Sequence, residues 1–405
     1  MNSKRLKPAL SILFLALIHL GLHCNAQQHN DLSRNNFALS FRVEPVPEWT
    51  QGFTRNHGWI GGDGLFSIPR RAADTVGGWQ STETMLVFSD SFWGSKSGGK
   101  LEPGARMTNN VVAMLPAGTR EVDQVEFYSG PEKEGQRTSV FVPSTPAAKA
   151  GQYYWLGDGF VNPDRANTTY IFAYRMENTG EAVFGFREDG NVLIAIDAND
   201  QTPFTEHRQM DTPLYIEADE ATHGAGYSFG AAIMANTAWA GAPHADGFVY
   251  VYGVRGPTKE LLVSRVSPAD FEDFSRWQYW DGEDWQSDIR NAKATTTNVS
   301  NELSMMPLAD GRYLLVFQQN GIEPHIGLRV GLSPAGPFGP IVNVYDCPEP
   351  LAIKSLYAYN AKAHPHLSQP GELLISYHVN SFDFLSDFGK YPDMFSPRFV
   401  RLVFE

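Results

Sequence analysis

Five times along the chain, a short and almost uninterrupted apolar run follows another short run that ends in a turn, and helical periodicity is scarce throughout. The apolar runs are 84–90, 169–175, 248–254, 313–319 and 372–378, and their leading partners are 64–70, 154–162, 229–235, 303–309 and 361–368. Two of the joining turns are Asp-Gly, at Asp246 and Asp310, a strong hairpin signal. A third element recurs as SRVSP at 264–268 and RVGLSP at 329–334. Successive apolar runs begin 85, 79, 65 and 59 residues apart, so the period is loose while the unit repeats. Three or four antiparallel strands repeated about five times predict an all-β fold, a five-bladed β-propeller. A pair of β-sandwich domains is the alternative, but no linker-like boundary divides the chain. Two strands are left over, 37–43 before the first unit and 398–404 at the end. They are expected to pair within one blade, closing the ring and hiding edges that would template aggregation.

Composition agrees with a turn-rich β protein: 37 Gly and 26 Pro in 405 residues, 13% aromatic and only 19% charged. Those values exclude a mainly disordered chain or a coiled coil. The formal charge of −13 argues against nucleic acid or anionic membrane as the main partner. It suits a neutral substrate.

Residues 1–26 read as an export signal. Lys4, Arg5 and Lys7 precede an apolar stretch from Ala9 to Leu22, and Ala26 offers a small residue before the cut. Secretion or a periplasmic location is expected, with a lipid-bearing Cys24 the less favoured reading because Leu22 and His23 suit that signal poorly. No later stretch is apolar enough to span a membrane. Cleavage removes three cations and no acids, so the charge falls from −13 to −16, and Cys347 remains alone. An internal disulfide is then impossible. Residues 27–405 are expected to form a single propeller domain, and the protein to be a monomer.

In a propeller the first strand of each blade lines the central channel. The five first strands and their leads carry Asp63, Asp158, His223, Tyr227, Ser228, Asn301, Glu302, Ser304, Asn360, Lys362, His364 and His366. Convergence of carboxylates, imidazoles and an ammonium in one cleft is what acid–base chemistry needs. Asp followed by Gly, as at Asp63 and Asp158, also occurs in plain turns. Asp90 differs, because it ends an apolar strand among Phe88, Phe92 and Trp93, where a carboxylate is costly unless partnered or used. Aromatic residues, including Trp59, Trp93 and Tyr377, surround these stretches and suit sugar faces. Trp59 and Trp93, flanking the two aspartates, are expected to border the pocket and stack on a sugar. The residues 95–106 and 240–246 read as loops that set specificity. Phosphate-loop, nucleophile-elbow, zinc-protease and EF-hand patterns are absent. No organic cofactor is expected; a structural calcium ion in the channel is compatible, although no ligand spacing announces it.

Three stretches together resemble the opening signature of a bacterial family of exported five-bladed propellers: WIGGDGLFSIP at 59–69, LVFSDSFWG at 86–94 and NNVV at 109–112. That family, long catalogued as a domain of unknown function, is similar to endo-D-arabinanase-type glycoside hydrolases. DGFVYVYG at 246–253, SRVSP at 264–268, YNAKAHP at 359–365 and SYHVN at 376–380 extend the resemblance over most of the chain. It implies that Asp63 and Asp90 are the catalytic pair. The chain departs from the pattern at Ser89 and Ser91, where Gly and Thr are usual, and by an insertion at 72–82.

The function expected is hydrolysis of a polysaccharide or oligosaccharide, arabinan-like substrates among them, by two carboxyl groups. Asp90, in the less polar surroundings, is expected to be the acid and Asp63 the base or nucleophile. Asn110, Asp158, Glu302, Lys362, His364 and Tyr377, with Trp59 and Trp93, are the expected substrate contacts. The alternatives are a non-catalytic carbohydrate-binding propeller and a polysaccharide lyase with Lys362, His364 or a tyrosine as base.

Overall fold

The second strand of each unit reads as unbroken apolar sequence because both of its faces are buried. In 84–88, Met85 and Val87 enter one core cluster while Leu86 and Phe88 enter another. The same alternation sends Ile171 and Ala173 one way and Tyr170 and Phe172 the other. It also parts Val249 and Val251 from Tyr250 and Tyr252. Period-2 alternation between two covered faces is the physical source of the pattern.

The computed structural model describes residues 36–180, 185–219 and 224–405. The expected export signal and His223 therefore lie outside the described residues. Ser40–Glu405 form one compact unit of antiparallel sheets. Sheet I comprises Phe66–Pro69, Thr84–Phe88, Val111–Leu115 and Glu126–Tyr128. Sheet II comprises Tyr153–Asn162, Thr168–Asn178, Phe186–Ile196 and His207–Asp211. Sheet III is built on Tyr227–Asn236, Phe248–Arg255 and Glu260–Val266, with short strands added at both edges. Sheet IV comprises Leu303–Pro307, Tyr313–Gln318, His325–Gly331 and Val342–Asp346. Sheet V comprises Leu356–Ala363, Glu372–Ser381 and Arg398–Phe404, and its outer strand is Phe41–Pro45 from the other end of the chain. That outer pairing is antiparallel, with Phe41 opposite Phe404 and Pro45 opposite Val400.

Apolar clusters fill the spaces between sheets. One joins sheets I and II, a second II and III, and a third III and IV. Another joins sheet I to Leu374 and Phe399 of sheet V, around Trp49 and Phe53 of the short helix Pro47–Phe53. The arrangement is propeller-like. Among the described residues no helix is long and apolar enough to cross a membrane.

One sequence expectation needs correction here. The first strand of sheet V is Leu356–Ala363 rather than 361–368, because His364 and Pro365 open a 3-10 turn over Pro365–Leu367. The segment 72–82 is anchored beside the turn that follows the first strand of sheet V: Gly77 N–H donates to Ser368 O at 3.0 Å, and Asp74 meets His366 at 3.1 Å.

Candidate active site

Bulges in the first strands aim the polar groups. The register slips between Leu156 and Gly159 in sheet II, between Phe229 and Ala232 in sheet III, and between Tyr359 and Lys362 in sheet V. A bulge turns side chains out of plain alternation. In sheet V, Asn360 takes a positive φ of 56°, so both Tyr359 and Lys362 reach inward.

Asp63 and Asp90 are locked side by side by backbone. Asp63 N–H donates to Asp90 O at 3.0 Å, and Ser89 N–H donates to Asp63 O at 2.8 Å. Glycines make this approach feasible: a Cβ on Gly62 would lie 2.4 Å from Ser91 Oγ, and one on Gly64 2.8 Å from Ser89 Oγ. Both aspartates line a cleft of about 1370 Å³, walled by strands of sheets II, III and V and by segments that flank sheets I and IV. Tyr359 Oη donates to Asp63 Oδ2 at 2.7 Å. Asp90 Oδ1 accepts two N–H groups, from Asn109 Nδ2 and Trp155 Nε1, each at 3.0 Å.

Burial raises the Asp63 carboxyl well above the usual range, and the neighbouring Asp90 charge raises it further. Burial also raises Asp90, to about 6, against the pull of its Asn109 and Trp155 donors. Of the pair, Asp90 is the better anion, since two N–H donors stabilise its charge while Asp63 has one hydroxyl donor. This reverses the order expected from the aromatic neighbours of Asp90. Phe88 points into the core below, and Phe92 packs on Phe388 at 4.7 Å.

Glu302 lines the same cleft and pairs with Lys362, Oε2 to Nζ 2.7 Å. The ammonium is 1% exposed and lies 3.3 Å from the centre of the Phe66 ring. Burial pulls the Lys362 ammonium down, and Glu302 pulls it back up.

The remaining expected contacts are divided between two places. Asp158, Lys362 and His364 line a smaller cavity of about 30 Å³, together with Asp74 of the insertion. Asp158 accepts Ile233 N–H at 2.7 Å and Gly159 N–H at 2.8 Å, and burial raises it to about 7. His364 is fully engaged, with Ser67 at 2.7 Å and Ser376 at 2.8 Å. Of the residues expected to converge in one cleft, Asp63 and Glu302 line it, whereas Asp158 and His364 do not.

Four further expectations are corrected by burial. Trp59 is 2% exposed and stacks on Phe127 at 4.2 Å. Trp93 is 7% exposed, with Nε1 on Thr108 at 3.2 Å. Tyr377 is buried and donates to Glu349 at 3.2 Å. Asn110 is buried and brackets the 141 and 154 backbone, donating to Phe141 O and Tyr154 O and accepting Phe141 N–H. The cleft-facing asparagine is its neighbour Asn109, as strand alternation between adjacent residues requires. The aromatic rings that do line the cleft include Tyr153, Trp155, Phe186, Tyr357 and Tyr359. Neither expected specificity loop lines it; Gly241 instead packs against Thr75 of the insertion. Sequence reasoning also missed Glu188, a cleft carboxyl in a polar stretch that reads as an exposed strand edge. Among the described residues, no group of three or more His, Cys, Asp or Glu side chains is arranged to hold a metal ion.

The family described as a domain of unknown function (DUF5005) matches this chain over residues 47–404. No curated protein matches it. Among solved structures, a candidate hydrolase from Bacteroides ovatus is similar with a TM-score of 0.66 and 18% identity, over 91% of this chain and 94% of that one. An α-L-arabinofuranosidase from Podospora anserina, solved with cellotriose, is more remote: TM-score 0.43, 10% identity, 86% of this chain and 97% of that one. The first similarity speaks to fold alone, and the second carries no further argument.

Proposed function

The chain belongs to the DUF5005 family, a domain of unknown function matched over residues 47–404, and on that premise we propose that it is an exported glycoside hydrolase. One observation carries the reading: Asp63 and Asp90, bonded to each other through backbone, face one large cleft with both carboxyls raised above the usual range. Two such groups of unequal acidity are the acid–base pair of glycoside hydrolysis. Asp63, holding its proton, gives it to the departing glycosidic oxygen. Asp90, ionised between Asn109 and Trp155, either takes a proton from the water whose oxygen adds to the anomeric carbon, or attacks that carbon itself. In the latter case water then cleaves the glycosyl ester and passes its proton to the now ionised Asp63. A separation of about 5–5.5 Å between the carboxyls goes with attack and retention, and about 6.5–9.5 Å with an activated water and inversion. The reaction so written needs no organic cofactor.

The same proposal includes a closed ring of five blades. It is supported by the pairing of Phe41–Pro45 with Arg398–Phe404 and by the apolar cluster that joins sheets V and I. A lyase is less well supported. Lys362 is paired with Glu302, His364 has both ring nitrogens engaged, and burial raises Tyr359 far above the range of a useful base.

The test is a panel of polysaccharides and oligosaccharides assayed for reducing ends and for ultraviolet absorbance. Release of reducing ends without absorbance is the expected result. Asp63→Asn and Asp90→Asn should each lower turnover at least about a hundredfold while the protein stays folded. Near-native turnover in both variants would refute the assignment.

A further inference from the structure

The sheet II wall of the cleft carries a group that the proposed hydrolysis leaves unused. Phe186 and Glu188 are two apart on the strand Phe186–Ile196, so they share one of its faces, and both line the cleft. Phe186 stands edge-on to Trp155 with ring centres 4.6 Å apart. Trp155 in turn donates to Asp90, so this wall runs on directly from the aspartates.

Glu188 differs from the other carboxyls described in the cleft. Asp63 has Tyr359, Asp90 has Asn109 and Trp155, and Glu302 has Lys362. Glu188 Oε1 is buried, and no hydrogen bond reaches it. Ser228 and Arg175 favour its charged form, but burial outweighs them and lifts the carboxyl to about 8. A buried oxygen without a partner is rare enough in a folded protein to require a reason. At neutral pH this group carries both an O–H donor and an acceptor oxygen, the complement of a sugar hydroxyl.

Charge narrows the ligand. Among the described residues, five carboxyl side chains line the cleft against two cations, Arg187 and Lys259. Both cations are engaged, Arg187 with Glu177 at 2.5 Å and Lys259 with Asn301 at 2.7 Å. With Asp63 and Glu188 protonated and Glu302 already paired to Lys362, the cleft offers an anionic sugar neither a net attraction nor a cation free of a partner.

We propose, resting on the hydrolase reading, that Trp155, Phe186 and Glu188 form a subsite for a neutral glycan unit. The rings cover an apolar sugar face, and the Glu188 carboxyl bonds a ring hydroxyl.

The test compares wild type with Glu188→Leu, Glu188→Gln and Phe186→Ala on arabinan-, xylan- and galactan-derived oligosaccharides, with oligogalacturonate as the anionic arm. Glu188→Leu should raise KM roughly tenfold with kcat held within about threefold, the size of one lost hydrogen bond. Glu188→Gln keeps a donor and an acceptor, so its KM should stay within about threefold of wild type. Phe186→Ala should raise KM roughly tenfold, as loss of a stacking ring does, and it tests the subsite even if Glu188→Leu does not fold. The subsite is overturned if Glu188→Leu and Phe186→Ala leave KM unchanged on a neutral glycan that wild type cleaves. It is equally overturned if Glu188→Gln is as impaired as Glu188→Leu, or if oligogalacturonate is the better substrate. A wild-type protein that cleaves none of these overturns the hydrolase reading, and the subsite with it.

Discussion

Replacing Asp90 with Asn should abolish turnover and, above pH 6, make the protein more stable. In the unfolded chain this carboxyl ionises near 3.8; in the fold, burial moves it to about 6. Ionising it in place is therefore up to about 3 kcal/mol harder than in the unfolded chain. Because the folded pKa is the higher one, the folded state holds a proton that the unfolded state has already lost between pH 4 and 6. Stability is fully present below pH 4 and falls as pH rises through that window. Asn has no charge to bury, and its amide oxygen can still accept from Asn109 and Trp155. The Asp90 side chain keeps some contact with the cleft, which trims the expected gain to about 1–3 kcal/mol. With an unfolding entropy of about 0.8 kcal/mol/K for a unit of this length, that is about 1–4 °C in Tm. Calorimetric melting of both proteins at pH 4, 6 and 8 and constant ionic strength reads it directly. The gain should be near zero at pH 4 and full at pH 8. A variant that melts below wild type at pH 8, or gains equally at pH 4, would show that Asp90 is not held against its charge, and the acid–base assignment would lose its electrostatic basis.

Two further outcomes follow from the core and the buried ion pair. Trp93→Ala should cost about 3–5 kcal/mol of stability, as large aromatic truncations in cores do, with KM little changed in whatever enzyme still folds. A binding defect at unchanged Tm would return Trp93 to the substrate site. Lys362→Met leaves Glu302 without its cation and should cost about 3–5 kcal/mol in denaturant unfolding, much of it recovered by adding Glu302→Gln. Equal stability of the single and double variants would mean that the pair contributes little.

The sheet architecture was legible in the sequence because its cause is local. A strand covered on both faces must be apolar at every position, and Thr84–Phe88 is buried throughout. The first strands were harder to read, because they are only partly apolar and carry bulges that break alternation. Sheet V shows the effect: the positive φ at Asn360 and the turn at Pro365 displaced the expected strand by several residues. That Asp63 and Asp90 face one cleft was legible through their glycine-flanked and strand-end positions. Their aromatic neighbours misled, since closeness in sequence says nothing about which face of a strand a ring occupies. Trp59 and Trp93 are register partners whose rings both enter the core, whereas Trp155, far away in sequence, supplies a donor to Asp90. Glu188 was hidden for a related reason, its polar neighbours Arg187 and Asp189 giving the strand an exposed look.

The two cavities divide the polar residues by whether their bonding capacity is already spent. In the smaller one, Asp158 has two backbone donors, His364 has two serine hydroxyls, and Asp74 is bonded to His366 behind it. Groups so fully committed hold sheets together and have little left for a substrate. In the larger one, Asp63 and Asp90 keep lone pairs towards the cleft, and Glu188 keeps a whole oxygen. The Lys362–Glu302 pair stands between the two sets, with its ammonium among the committed groups and its carboxylate on the cleft. The insertion at 72–82 supplies Asp74 to the smaller cavity and nothing to the cleft. That segment therefore belongs with the committed groups, whereas the walls around Trp155, Phe186 and Tyr357 face the cleft.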